Sequence, residues 1–312
     1  MKIFSGSSNP LFAESIAKAL NTKLGDIEIS RFADGEVFVQ INENVRGLDI
    51  FVVQSSCPPV NENYMELFLV LDALKRASAK EITLVMPYYG YSRQDRKSAP
   101  RVPISAKCVA DMCSVAGANR LLVVDLHSPQ VQGFFNIPVD NLFASPVLAQ
   151  TWKQFYSKKE DIVVVSPDAG GTERVRAFAK KIEGASVAMI DKRRQEANKA
   201  KALSVVGDVQ NKTALILDDM IDTAGTLCEA SVKLLEAGAT EVYALATHPL
   251  FSSSAIDRIE QSPIKKVFVT DTIPLKDSIK KSNKIQIASL APLVAEAMKR
   301  ISNKNSVSLL FN

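Results

Sequence analysis

The sequence predicts an α/β protein with mainly parallel sheets, and three observations carry that expectation. Short apolar runs rich in β-branched residues recur at residues 50–53, 82–86, 121–124, 162–165, 187–190, 214–217, 242–245 and 267–270. Their hydrophobicity is continuous rather than alternating, as in strands covered on both faces. Helical patterns lie between them, and regular alternation of strand and helix is the mark of this class.

Taken in order, the first helix is signalled by Asn9 as a cap and Pro10 at the first helical position, before residues 11–20. A strand-like run, 27–30, follows. Residues 61–79 read as a helix with Met65, Leu67, Phe68, Leu71 and Leu74 on one broad face. Residues 227–237 read as another helix, and 291–300 as a last one before a terminal strand at 306–311. An internal echo links the two halves. Ala116-Gly117-Ala118 precedes one strand and then His127, and Ala237-Gly238-Ala239 precedes another and then His248 at the same offset. A helix ending in Gly before a strand is common in α/β proteins. The fixed offset and the placing of both histidines of the chain nevertheless favour duplication. The expectation is two similar domains, 1–145 and 146–290, with 291–312 packing back on the first.

Length agrees with that division, because 312 residues is about twice a usual domain. Hydrophobic residues at 46% and charged residues at 23%, with 13 Gly and 14 Pro, exclude disordered, collagen-like and coiled-coil classes. The balance of 38 cationic against 34 acidic residues, a net +4, is too mild to argue for a nucleic-acid partner. Four cysteines form no C-x-x-C pair and are too sparse for a disulfide framework, which suits reduced thiols. The polar segment from Ser5 to Pro10 leaves no room for a signal-peptide apolar region, and no apolar run has membrane-spanning length. A soluble cytoplasmic protein is expected.

The most informative stretch is Ala214-Leu215-Ile216-Leu217-Asp218-Asp219-Met220-Ile221-Asp222-Thr223-Ala224-Gly225-Thr226. A buried strand ends in adjacent carboxylates, and small and hydroxyl residues then lead to a helix N-terminus. Unpaired helical N–H groups and the macrodipole favour a phosphate there. Thr223 and Thr226 add hydroxyl donors, while Ala224 and Gly225 let the backbone approach closely. Asp218 and Asp219 would repel a phosphate, so they suit neutral hydroxyls such as vicinal ribose alcohols, or a divalent metal. An acidic helix cap would account for one Asp but not for two at the end of a buried strand.

Other strand ends add candidates. Phe32-Ala33-Asp34-Gly35-Glu36 offers an aromatic face flanked by acids, fit to stack on a nucleobase, although taken alone the segment favours a core Phe beside a turn. Residues 87–97, Pro-Tyr-Tyr-Gly-Tyr-Ser-Arg-Gln-Asp-Arg-Lys, concentrate aromatics and cations in an expected protruding loop. Such a loop suits nucleic acid or a triphosphate, with Arg93 forking onto phosphate oxygens. Neither a Walker-type nor a Rossmann glycine run occurs, so a nucleotide would need another cradle. His127, just past a strand, reads either as a satisfied structural histidine or as a phosphate or Mg²⁺ contact. Asp168, before Gly170 and Gly171, is well placed as a Mg²⁺ carboxylate. Asp191-Lys192-Arg193-Arg194 opens a polar stretch to Lys201 whose cations could reach transferring phosphates.

The segment from Asp218 to Thr226 fits the D-D-x-x-D-T-x-G-T pattern shared by type I phosphoribosyltransferases and ribose-phosphate diphosphokinases, and by itself does not choose between them. With residues 82–95, 127–135, 166–171 and 191–194 and the tail Ser306-Val307-Ser308-Leu309-Leu310-Phe311, the whole chain resembles class I ribose-phosphate diphosphokinases, in order and approximate spacing.

That resemblance implies two phosphoribosyltransferase-type domains, a hexameric homo-oligomer, and transfer of the β,γ-diphosphoryl group of MgATP to the 1-hydroxyl of ribose 5-phosphate, releasing AMP. It implies that Phe32, Asp34 and Glu36 hold adenine across a subunit boundary, with Arg93 and Gln94 reaching the nucleotide. His127 and Asp168 would organise Mg²⁺ and the ATP phosphates. Asp218 and Asp219 would engage the ribose hydroxyls, and Asp222, Thr223, Ala224, Gly225 and Thr226 the 5-phosphate. Lys192 and Arg194 would lie on a mobile catalytic loop. Arg46, Ser306 and Ser308 keep the pattern of a site regulated by phosphate and ADP, whereas Asn44 stands where many relatives have Ser. A phosphoribosyltransferase would lack the loop at 91–97, and a non-catalytic regulatory paralogue would not keep Asp168, Lys192, Arg194, Asp218 and Asp219 together.

Overall fold

A computed structural model describes residues 1–157, 161–193 and 202–310, which fall into two units. The first comprises Met1–Phe143, Thr272–Pro274 and Leu290–Asn312. It runs β1 (Lys2–Ser5), α1 (Pro10–Ala19), β2 (Ile27–Arg31), β3 (Val37–Ile41), β4 (Asp49–Val53), α2 (Val60–Arg76), β5 (Glu81–Met86), α3 (Ser105–Ala116), β6 (Arg120–Val124) and β7 (Val139–Leu142). Its main sheet has the order β1-β4-β5-β6-β7 with every pair parallel, while β2 and β3 form a separate antiparallel hairpin.

The second unit comprises Ala144–Asp271 and Leu275–Ser289. It runs α4 (Ser145–Phe155), β8 (Ile162–Ser166), α5 (Thr172–Ala179), β9 (Ser186–Arg193), β10 (Ala202–Val206), β11 (Thr213–Ile221), α6 (Gly225–Glu236), β12 (Glu241–Pro249), α7 (Ala255–Gln261), β13 (Val267–Thr270), α8 (Asp277–Lys280) and β14 (Ile285–Ala288). A last helix, α9 (Ala291–Ser302), returns to the first unit and packs on α1. The seven-stranded sheet has the order β10-β9-β8-β11-β12-β13-β14, parallel except where β10 meets β9. The fold class read from the sequence is the one found.

Burial follows the continuous apolar runs. Residues 163–165 and 214–216 are buried, and Val163, Val165, Ala214 and Ile216 join the helices on one face in a single core, while Ile82, Leu84, Met86, Leu121 and Val123 do the same in the first unit. In α2 the buried aliphatic residues are Leu67, Val70, Leu71 and Leu74, spaced i, i+3, i+4 and i+7 as a single face requires, with Asn63, Tyr64 and Glu66 also buried. Met65, expected on that face, is 55% exposed, because it falls on the far side of the turn. The expected cap at Asn9 makes no side-chain hydrogen bond to its helix, although Pro10 does open it. The tail forms a short 3₁₀ turn at Ser308–Leu310 rather than the expected strand.

The echo between the halves is a shared local unit. In each, a helix ends before a glycine of positive φ, +138° at Gly117 and +95° at Gly238, and a parallel strand follows next to the one that preceded the helix. The histidines differ in setting. His248 is buried inside β12, which runs on to Pro249, whereas His127 lies past the end of β6 and is half-buried.

Strand order fixes where a ligand can enter the second unit. From β8 the chain crosses through α5 to β9 on one side, and from β11 through α6 to β12 on the other. The direction of winding therefore reverses between β8 and β11. A crevice opens beyond the carboxyl ends of strands at such a reversal.

Candidate active site

Two turns meet at this reversal. β8 pairs with β11 only as far as Val165 opposite Ile216, whereas β12 follows β11 on to Ile221 opposite Pro249. Beyond Ile216, one side of β11 is thus left to the turn after β8. Asp168 sits in that turn, and its Oδ1 accepts from the N–H groups of Gly170 (2.9 Å) and Gly171 (3.2 Å). The Ser166 hydroxyl donates to the Asp168 carbonyl at 2.6 Å. A Cβ on Gly171 would lie 2.7 Å from that hydroxyl oxygen, so a larger residue there would displace the Ser166 side chain from its bond.

Asp168 and Asp218 line a cavity of about 170 Å³ with Asp222, Thr223, Ala224, Gly225 and Thr226. The size suits a small polar ligand better than a drug-sized one. A groove of about 620 Å³ between Lys153, Lys180 and Lys181 is larger but lies on the open surface away from the strand ends.

The loop from Ile221 to Ala224 is held by its carbonyl groups. Phe251 N–H donates to Ile221 O (3.0 Å), Ser252 N–H to Asp222 O (2.9 Å), Arg258 Nη1 to Thr223 O (2.8 Å) and Cys228 N–H to Ala224 O (3.0 Å). With its carbonyls engaged, the loop can turn N–H groups toward the cavity, where the opening turn of α6 adds its own unpaired donors. Ala224, at φ +60°, makes the left-handed bend into α6. A Cβ makes this conformation costly for any residue but Gly, so the bend carries backbone strain.

The two adjacent acids face different surroundings. Asp218 lines the cavity, whereas Asp219 is 3% exposed and pairs with Arg174 at 2.9 Å. Arg174 also lies 3.5 Å from Asp218, whose Oδ1 accepts from the Asp219 N–H at 2.8 Å. Burial first, and then the charge of Asp219, pushes the Asp218 carboxyl up to about 8, while Arg174 pulls the other way.

The remaining candidates fall elsewhere. Phe32, Asp34 and Glu36 form the end of the β2–β3 hairpin, closed by Phe32 N–H to Glu36 O (2.9 Å) and Glu36 N–H to Asp34 Oδ1 (3.1 Å). Phe32 is 56% exposed and meets Phe38 edge-on, so it is no core residue. In the loop after β5, Tyr88 and Tyr89 are buried, the latter bonded to Ala106 O, so only the later part of the expected protruding loop is exposed. Arg93 and Gln94 lie in that part; Gln94 accepts from the Ser105 hydroxyl at 2.6 Å. His127 is in the first unit and Asp168 in the second. Lys192 falls on β9, opposite Leu203 of β10, rather than in a loop. Its side chain, like Arg194, lies outside the described residues. Arg46 is exposed, with its N–H on the Asn44 side chain, while Arg300 holds Ser306 O and the Ser308 N–H donates to the Ser306 hydroxyl.

Among the described residues, no three His, Cys, Asp or Glu side chains are grouped to hold a metal ion. The carboxylates of Asp168 and Asp218 still suit Mg²⁺, a hard cation that takes one or two carboxylates and completes its shell with water and substrate phosphates. Arg174 and Arg258 went unnoticed in the sequence. Neither belongs to a local pattern, and each reaches the site from a helix distant in sequence from its partner.

Residues 1–117 match the family model described as the N-terminal domain of ribose phosphate pyrophosphokinase, and residues 184–312 match the phosphoribosyl synthetase-associated domain. The chain is 54% identical over 313 residues to a ribose-phosphate pyrophosphokinase of Caldanaerobacter subterraneus subsp. tengcongensis, covering 100% of this chain and 98% of that one. It is 50% identical to the protein of the same name from Shewanella oneidensis, covering 100% and 99%. A crystal structure of phosphoribosylpyrophosphate synthetase from Mycobacterium smegmatis superposes with a TM-score of 0.92 at 40% identity, covering 97% and 99%. With this agreement over its full length, and with the strand-end cavity described above, the chain belongs to the ribose-phosphate pyrophosphokinase family of enzymes.

Proposed function

We propose that the enzyme transfers the β,γ-diphosphoryl group of MgATP to the 1-hydroxyl of ribose 5-phosphate, giving phosphoribosyl pyrophosphate and AMP. The observation that carries this reading is the full-length agreement with ribose-phosphate pyrophosphokinases, and the cavity in which Asp218 faces a loop held by its carbonyls supports the sugar-phosphate half of it. One wall suits a sugar's hydroxyls and the other its phosphate, a pairing that a simple anion site would not need.

On this reading the Asp218-Asp219 pair, directly or through one of its members, serves the ribose hydroxyls, and Asp222, Thr223, Ala224, Gly225 and Thr226 take the 5-phosphate. Phe32, Asp34, Glu36, Arg93, Gln94 and His127 receive the nucleotide. Lys192 and Arg194 approach the transferring phosphates as catalytic cations. Asp168 would hold Mg²⁺, His127 would contact Mg²⁺ or the ATP phosphates, and the ion would supply charge neutralisation on the phosphate oxygens. The chain's own task is to orient the sugar so that its anomeric oxygen meets the β-phosphorus in line, without a covalent protein intermediate. A cytoplasmic hexamer with phosphate and ADP acting at Arg46, Ser306 and Ser308 completes the proposal.

Incubation of the pure chain with ATP, Mg²⁺ and ribose 5-phosphate tests it. The expected result is AMP in equal amount to the sugar consumed. Release of ADP instead, or turnover only with a nucleobase and phosphoribosyl pyrophosphate, would assign a different reaction.

A further inference from the structure

We propose that the Arg174–Asp219 ion pair is a positioning strut that holds Asp218 toward the cavity, and that Asp219 acts through Arg174 rather than on the sugar. The inference rests on the reading that Asp218 receives the sugar's hydroxyls, and it divides the labour of two acids that the sequence presents as equivalent.

The two carboxyls converge on one guanidinium nitrogen, yet they meet different surroundings. Asp218 lines the cavity, and Asp219 does not. The Asp219 side chain is 4% exposed and its Oδ1 accepts from Arg174 Nη1 at 2.9 Å. Arg174 stands on α5, which begins directly after the turn holding Asp168, so the ion pair ties the β8 side of the crevice to the β11 side. From there its guanidinium also lies 3.5 Å from Asp218 Oδ1, the oxygen that accepts from the Asp219 N–H.

Such a strut offsets the repulsion between the two acids whenever both are charged. Two carboxylates on consecutive residues repel, and burial adds to the cost of keeping both charged. A planar guanidinium can serve two carboxylates at once, whereas an ammonium acts as a point charge and fixes neither orientation. Arg174 and Asp219 are therefore positioning residues, and Asp218 is the contact.

The test uses the full chain and measures binding of ribose 5-phosphate, 2-deoxyribose 5-phosphate and 3-deoxyribose 5-phosphate to the wild type, D218N, D219N, R174Q and R174K. D219N and R174Q should each weaken ribose 5-phosphate by about tenfold, and by the same factor for both deoxy sugars. R174K should recover part of the loss. The R174Q/D219N double variant should be no weaker than R174Q, and KM for ATP should stay within about twofold in all of them. The D218N loss should disappear with the sugar lacking the hydroxyl that Asp218 holds. If the D219N loss disappears with a deoxy sugar, Asp219 touches the sugar and the strut is refuted while the proposed function stands. Wild-type binding in both D219N and R174Q would refute it as well. Wild-type binding in D218N would instead overturn the reading beneath. Should R174Q not fold, the near-isosteric D219N carries the same comparison.

Discussion

Asp218 is the residue on which chemistry and stability meet. Its carboxyl is pushed up to about 8, so the folded chain binds that proton more tightly than the unfolded chain, where an Asp titrates near 4. The stability linked to this proton is complete below about pH 4 and is lost as pH rises toward 8. D218N should therefore flatten the fall in melting temperature between about pH 5 and pH 8, a slope measurable by thermal unfolding across buffers; an unchanged slope would show that Asp218 titrates normally. A third of the side chain remains exposed, 34%, which lets solvent moderate the effect and lets a ligand reach it. Much of this was readable beforehand, because an acid pair at a strand end, small residues and a helix start are consecutive in the chain. Arg174 was not, since it is 45 residues from its partner and nothing in Thr172-Glu173-Arg174 marks the helix face that turns toward β11. The contrast between Asp218 and Asp219 was hidden for the same reason, as two identical letters do not reveal which of them faces a cavity.

At the level of elements, the glycine that ends α3 shows what the repeated Ala-Gly-Ala encodes. Gly117 has φ +138°, and a Cβ there would lie 3.2 Å from Leu71 O, a backbone atom that cannot step aside. G117A should cost about 1–3 kcal/mol in chemical unfolding, with activity per folded molecule unchanged; a wild-type midpoint would contradict this. At Gly238 the opposing atoms belong to the flexible end of Gln210, so strain there comes mainly from φ. The buried strands were legible because both faces are covered, and their apolar runs are long relative to the strands. Their extensions were not. β11 and β12 continue to Ile221 and Pro249 through polar residues, since pairing with one another satisfies their backbone after the apolar run has ended. The terminal segment failed in the opposite sense, for Leu309 is 69% exposed and its apolar neighbours belong to a short turn rather than a strand.

For the whole molecule, the two units share a class but not a winding. The five-stranded sheet steps in one direction from β1 to β7, and the seven-stranded sheet reverses between β8 and β11. The reversal creates a strand-end crevice in the second unit, and that is where Asp168, Asp218 and the loop to Thr226 converge. The duplicated glycine signal is common to both halves, while strand order, which no local pattern carries, decides which half has the strand-end crevice. The central claim is that the anomeric oxygen of that sugar attacks the β-phosphorus of ATP. The direct measurement is ³¹P NMR of the product made from ribose 5-phosphate freshly labelled with ¹⁸O at C1. The account predicts AMP and a diphosphoryl group whose bridge to C1 retains the label, seen as an isotope shift at the phosphorus next to the sugar. Loss of the label from that bridge, or a single phosphoryl group at C1 with ADP as the second product, would contradict it.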